Sequence, residues 1–198
     1  MSTLFGMPNL LRSYVLDCYN SGETKIRVHG NGFLQLDIDK DTRLHFWGDP
    51  RIPKQKVDSG WHDHTFTFFS SVLKGQLKHI SYKVVSDPCG GFEGYRATPR
   101  EGSDTKLEKV GRRFNLYVDE MLTINEGESY GFAQFKTHYS TTDKPTITLM
   151  KKMPEAKGMS FPVVYCPVGL EPDNTFNRHG FDQELLYRIA FDIIGRER

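Results

Sequence analysis

Apolar and polar positions alternate over short runs through most of the chain between residues 24 and 150. Successive side chains on a strand point to opposite faces, so a period of two predicts half-buried β-strands. Turn-forming sequences, such as Gly-Asn-Gly at 30–32 and Gly-Asp-Pro at 48–50, separate the runs. A succession of strands with no helix between them predicts an all-β fold, either a closed antiparallel barrel or a sandwich. The predicted strands are 25–29, 33–38, 43–47, 65–73, 76–85, 112–118, 120–124, 128–135 and 146–150.

A helical period occurs only near the two ends of the chain. Apolar residues between 8 and 19 fall at helical spacing and predict a short helix packed on the outside of the barrel. A second apolar stripe follows residue 181, where Asp182 can cap the start of a helix and Gly195 can end it. Its members are Phe181, Leu185, Leu186, Ile189, Ala190, Ile193 and Ile194. We favour burial of this stripe within its own chain, and a homodimer contact is the alternative.

These patterns predict three parts in the chain. Residues 1–23 form an N-terminal helical extension, residues 24–153 the barrel, and residues 154–198 a C-terminal extension with the terminal helix. Residues 86–109 are rich in Gly, Pro and charge and show neither period. Such a stretch is long for a loop in a compact domain, which predicts a mobile connection or a flap over a functional site.

Charge and cysteine content argue against several classes of function. The chain has 26 Lys and Arg against 25 Asp and Glu, a formal net charge of +1, so no global field attracts nucleic acid or an anionic membrane. No apolar stretch approaches the ~20 residues that span a bilayer, and no signal-peptide pattern is present. The widely spaced Cys18, Cys89 and Cys166 form no CxxC and suit a reducing compartment. We expect a cytoplasmic protein with no nucleic-acid or membrane partner.

The chemistry centres on the Gly-Trp-His-Asp-His-Thr sequence at 60–65. His62 and His64 lie two apart, so a strand would aim both imidazoles at one point inside a barrel. His138 follows a turn at 124–128. If its strand neighbours the first, three neutral imidazoles converge and leave coordination positions open, as in catalytic metal sites. Three unrelated histidines would need both period and spacing to coincide by chance, so we favour a metal site.

The same residues resemble the cupin superfamily, whose first motif has the form G-x5-H-x-H-x3-E-x6-G and whose second motif supplies a further His. The spacing from His64 to Gly75 is that of the first motif, while Phe68 stands at the position of its Glu. His138 sits where the second-motif His would, after a turn that keeps the glycine and an acidic residue but not the proline. The resemblance covers about residues 24–150. It implies a cupin-type antiparallel β-barrel, or jelly roll, with a metal site that lacks the usual fourth ligand.

A ligand set without Glu is similar to that of the thiol dioxygenases, the three-His branch of the cupins that includes cysteine dioxygenase. The sequences at 62–65 and 72–78 resemble the H-D-H-T and L-x-G-x-L-K of that branch. The chain departs from it near Phe69, where the cross-linking Cys would fall, and at 148–153, which contain no Tyr. The resemblance implies a non-haem oxygenase that holds Fe(II), with Zn(II), Mn(II) and Ni(II) as alternative ions, on His62, His64 and His138.

The substrate would be a small molecule with a thiol or another donor group. Alternation places Arg43, His45 and Trp47 on one face, and Arg43, His45, Tyr130 and Gln134 are candidates for orienting the substrate, the alternative being a solvated face. Two other classes of function remain open: a metal-dependent isomerase, lyase or hydrolase, and a non-catalytic binding module. The remaining histidines, expected to be surface or satisfied structural groups, are His29, His79 and His179.

Overall fold

Strands dominate the computed structural model, which describes residues 7–57, 60–99, 105–153, 161–174 and 176–195. The helices in these ranges are α1 (Met7–Ser21) and α2 (Gln183–Ile194). The strands are β1 (Arg27–His29), β2 (Phe33–Asp37), β3 (Thr42–Trp47), β4 (Trp61–His62), β5 (Phe68–Lys74), β6 (Gln76–Ser86), β7 (Phe92–Pro99), β8 (Thr105–Asn125), β9 (Ser129–Phe132), β10 (Thr137–Thr141), β11 (Thr146–Lys152) and β12 (Val163–Pro167).

The strands form two antiparallel sheets. One has the order β1-β2-β3-β11-β5-β9, and the other closes on itself in the order β10-β4-β12-β7-β8-β6. The chain passes from the first sheet to the second at Gly75, which has a φ of +87°. A Cβ there would lie 2.6 Å from the carbonyl oxygen of Pro145, so this turn requires glycine. The predicted all-β antiparallel barrel with a short helix near each end is confirmed.

The first sheet separates a core from a cavity. On β3, Leu44 and Phe46 are fully buried in the core that the sheet shares with both helices. Arg43 and His45 alternate with them and line the cavity on the opposite face. The period of two in the sequence predicted that Arg43 and His45 share a face, and the structure shows that this face lines the cavity.

The two helices cover the outer face of the first sheet. They contact each other, and Ile189 of α2 is completely buried among core residues of the strands. The Asp182 side chain accepts a hydrogen bond from the backbone N–H of Glu184, and Gly195 ends the helix. Burial within its own chain is confirmed for most of the stripe: Leu186, Ile189, Ala190, Ile193 and Ile194 are buried and Phe181 packs against the same core, whereas Leu185 is 37% exposed. Neither helix in the described ranges has the length and apolar character to cross a membrane.

The stretch predicted as a long loop or flap at 86–109 is instead mostly a β-hairpin. Strand β7 pairs with β8 from Pro99 opposite Thr105 to Phe92 opposite Phe114. In the first part of β8, at 105–111, nearly all side chains are exposed, so apolar and polar residues do not alternate there and this part was not predicted as a strand. Strand β8 also runs without a break through the two strands predicted at 112–118 and 120–124. The connection at 100–104 lies outside the described residues.

Three short strands escaped the sequence analysis: β4, β10 and β12. Strand β12 lies within the segment 154–198 predicted as a C-terminal extension, and it pairs with β4 and β7 of the closed sheet. The closed sheet therefore contains strands from both sides of the predicted boundary at residue 153. The boundary itself falls next to residues 154–160, which are outside the described ranges.

Candidate metal centre

Two neighbouring strands of the closed sheet bring the three predicted ligands together. His62 on β4 is paired directly with His138 on β10, and His64 follows two residues after His62. The ring centroid of His62 lies 4.7 Å from that of His64 and 4.6 Å from that of His138. One nitrogen from each ring lies within 4.8 Å of the others. The convergence expected from the sequence is thus present.

The ring nitrogens of this cluster are arranged as metal ligands would be. The Nδ1 of His62 lies 2.7 Å from the carbonyl oxygen of Gly60, and a carbonyl only accepts, so Nδ1 carries the proton and Nε2 is left with its lone pair. The Nε2 atoms of His64 and His138 are 3.1 Å apart. Two nitrogens at ~2.1 Å from one ion, with an angle between perpendicular and tetrahedral, are separated by about 3.0–3.4 Å. The donor set fits a divalent ion.

Burial keeps these imidazoles neutral. It is the largest cause that lowers the pKa of His62, and it lowers the pKa of His64 and His138 well below the usual histidine value. The neighbouring imidazoles act in the same direction on the pKa of His64 and His138, and the cations Arg43 and Lys152 also lower the pKa of His64. Neutral imidazole is the form that binds a metal ion, so the cluster is ready to coordinate at neutral pH.

Two aromatic rings form one wall of the histidine cluster. Phe68 is buried, and its ring centroid lies 5.6 Å from that of His64 and 5.9 Å from that of His138. The ring of Phe66 stacks on His64 at 4.8 Å. Within the described ranges, no Asp, Glu or Cys joins the histidine cluster. The site therefore has three nitrogen ligands and an apolar wall.

Asp63, between two of the clustered histidines, ties two strands together. Its carboxylate accepts a hydrogen bond of 2.8 Å from the backbone N–H of Val163, at the start of β12. Burial raises the pKa of this carboxyl to about 6. Asp63 lines the cavity but contributes no atom to the ligand cluster.

The histidine cluster opens into a cavity of about 370 Å³ between the two sheets. Of the residues predicted to orient a substrate, Arg43, His45 and Tyr130 line it. Burial, followed by the charges of Arg43 and Arg178, lowers the pKa of His45 to about 3. Burial raises the pKa of Tyr130 to about 12, against the opposing hydrogen bonds with Ser70 and Ser140. The cavity thus has a neutral imidazole and a neutral phenol in its lining, in addition to the cluster.

Gln134 does not line this cavity. It was a candidate for orienting the substrate and falls within the strand predicted at 128–135, but β9 ends at Phe132. Phe135 has a φ of +57°, so the backbone turns here and the alternation stops. The backbone N–H of Gln134 donates to Thr67 Oγ1 at 3.3 Å.

Three residues of the site were missed. His29 lines the cavity, where its ring stacks on Phe33 at 4.2 Å and lies 6.2 Å from His62. Arg178 also lines it and donates to Gln35 Oε1 at 3.1 Å. His79 is buried beside His138. The position of His79 on the inner face could have been predicted from the period of two in β6. No local pattern in the sequence predicts that Arg178 lines the cavity.

No family model matches the chain, and no curated protein matches it in sequence. Among solved structures it is similar to hydroquinone 1,2-dioxygenase from a Sphingomonas species, with 9% identity over 60% of this chain and 62% of that chain and a TM-score of 0.30. It is similar to hydroxypropylphosphonic acid epoxidase from S. wedmorenis, with 11% identity over 66% and 56% of the two chains and a TM-score of 0.33. Coconut allergen cocosin matches with 9% identity over 81% and 34%, and a TM-score of 0.34. This chain spans less than two thirds of each of the three, and likeness at this level assigns neither family nor activity.

Proposed function

We propose that the chain is a cupin-type metalloenzyme that holds Fe(II) on His62, His64 and His138 and oxidises a small molecule with dioxygen. The observation that carries this proposal is the geometry of the donor atoms. Two Nε2 atoms lie at the separation of ligands on one ion, and the hydrogen bond to Gly60 leaves the third Nε2 free to bind.

The ion would supply redox chemistry and open coordination positions. The chain supplies the surroundings. Phe66 and Phe68 keep water and a fourth protein ligand from their side of the cluster, which lowers the local dielectric. The choice of Fe(II) over Zn(II), Mn(II) or Ni(II) is supported by the resemblance of residues 62–65 to the thiol dioxygenases.

The cavity walls would orient the substrate. Tyr130, whose hydroxyl stays protonated at neutral pH, can donate a hydrogen bond, and neutral His45 can donate or accept one. Arg43 brings a positive charge to the same wall. A cavity of about 370 Å³ suits a small molecule, and one with a thiol or another metal-binding donor would reach the ion. Gln134 has no part in this proposal.

Reconstitution under anaerobic conditions tests the proposal. Protein loaded with Fe(II) should give an iron-nitrosyl spectrum with nitric oxide and consume dioxygen with a panel of small thiols, whereas His138→Ala should do neither. Turnover with Zn(II) and no dioxygen uptake would instead identify an isomerase, lyase or hydrolase. Tight ligand binding without turnover would identify a binding module.

We also propose a cytoplasmic location and leave the homodimer contact as a prediction. Cys18 and Cys166 are buried, Cys89 is exposed, and no two of these described cysteines form a disulfide, which agrees with a reducing compartment. Size-exclusion chromatography with light scattering measures the mass in solution and decides between a monomer and a dimer.

A further inference from the structure

A fourth histidine lies directly behind one of the three clustered histidines. His79 on β6 is opposite Ser140 on β10, and His138 is two residues before Ser140 on the same face of the sheet. The Nδ1 atoms of His79 and His138 are 3.4 Å apart. His79 is 1% exposed, so water does not compete for this contact.

The contact between these rings constrains where their protons lie. His138 can bind an ion through Nε2, the atom near His64, only if its proton is on Nδ1. A proton on His138 Nδ1 needs an acceptor, and the atom facing it is the Nδ1 of His79. His79 must then hold its own proton on Nε2, which is buried and makes no hydrogen bond to a described residue.

The same histidine connects the cluster to the cavity wall. The Nδ1 of His79 lies 2.9 Å from the hydroxyl of Ser140, which hydrogen-bonds with Tyr130. The ring of His79 also packs against those of Tyr130 and Phe132, with centroids 4.6 Å away in both cases. These contacts fix the orientation of the His79 ring, and an unprotonated Nδ1 there shares its one lone pair between two donors, the Ser140 hydroxyl and the Nδ1–H of His138.

We propose that His79 is a positioning residue of the metal centre, whose unprotonated Nδ1 accepts the Nδ1 proton of His138 and thereby holds His138 in the tautomer that presents Nε2 to the ion. The inference rests on the proposed function, since it takes His138 as a ligand. The hydrogen bond from His138 to His79 would have the same role as the hydrogen bond that His62 donates to the carbonyl oxygen of Gly60. Loss of such a partner typically weakens metal binding 10–100-fold.

The test measures Co(II) binding by competition with a chelator, together with the visible absorption spectrum of the bound ion. His79→Leu removes the acceptor and should weaken binding about 10–100-fold and shift the spectrum. His79→Asn offers an amide oxygen near the position of Nδ1 and should restore most of both. Ser81→Ala is the matched control, because Ser81 is equally buried on β6 opposite His138 and has its hydrogen bond with Asp119.

The inference is overturned if His79→Leu binds Co(II) with the affinity and spectrum of the parent while His138→Ala loses it. If His138→Ala also binds like the parent, the proposed function itself is wrong. Nitrogen NMR of the Zn(II)-loaded parent tests the tautomers without any substitution that could impair folding. We expect the proton of His79 on Nε2 and that of His138 on Nδ1, and a proton on His79 Nδ1 would refute the inference.

Discussion

Replacing Phe68 with glutamate should make the stability of the protein depend on bound metal. The ring of Phe68 stands at the position of the carboxylate ligand in the cupin motif and touches the apolar cluster of Phe132 and Met150. Phe68→Glu therefore removes an apolar contact and places a carboxyl group within reach of the histidine cluster. The two effects have opposite signs once an ion is present.

The size of the first effect follows from burial. Phe68 is 4% exposed, and burying a Phe side chain contributes about 1.5–3 kcal/mol. A buried carboxyl group without a partner adds about 1–3 kcal/mol. We expect the metal-free variant to be less stable by about 3 kcal/mol or more, and its melting temperature to fall by roughly 6–12 °C for a chain of this size.

Thermal unfolding with and without Zn(II) measures the second effect. The new carboxylate should bind the ion, so the melting temperature of Phe68→Glu should rise more on adding Zn(II) than that of the parent. Phe68→Leu is the control, because it loses the ring but offers no ligand. The reasoning is refuted if Zn(II) stabilises Phe68→Glu no more than Phe68→Leu.

Three further predictions concern stability and are measured by chemical denaturation. Ile189→Asp should lower the free energy of unfolding by about 4 kcal/mol or more, because it buries a carboxyl group in the core. Leu185 is 37% exposed on the same helix, so Leu185→Asp should lower it by less than half of that. Equal losses would mean that Ile189 is not buried as described. In the folded protein the pKa of His45 is lowered to about 3, so the stability that neutral His45 contributes is complete above pH ~6.5 and is lost as pH falls. Between pH 7 and pH 5 the free energy of unfolding of the parent should therefore fall by about 2 kcal/mol more than that of His45→Gln. Equal losses in the two proteins would contradict this. Gly48 and Gly127 both have a φ above +80°, but only at Gly48 would an added Cβ meet backbone, 2.5 Å from a carbonyl oxygen. Gly48→Ala should therefore destabilise the protein more than Gly127→Ala, and the reverse order would refute this.

Local periodicity predicted the parts of the site that lie on regular strands. Alternation along β3 put Arg43 and His45 on one face, which the structure shows to be the cavity side, and the two-residue spacing of His62 and His64 put both rings on one side. The same rule failed at Gln134, where β9 had already ended. Periodicity identifies a face only for as long as the strand continues.

Strand pairing could not be derived from the sequence because it is a non-local property. The pairing of β4 with β10, which brings His62 opposite His138, joins residues far apart in the chain through strands too short to show a pattern. Arg178 reaches the cavity from the segment between β12 and α2, which has no period at all. The hairpin of β7 and β8 is held by backbone pairing, which side-chain patterns do not reveal.

The metal content of single alanine variants tests the central claim most directly. Protein equilibrated with a divalent ion and freed of excess should hold about one ion per chain, and His62→Ala, His64→Ala and His138→Ala should each lose most of it. His179→Ala is the control, because His179 is exposed and lies outside the cavity. Parent-like metal content in all three variants would contradict the account.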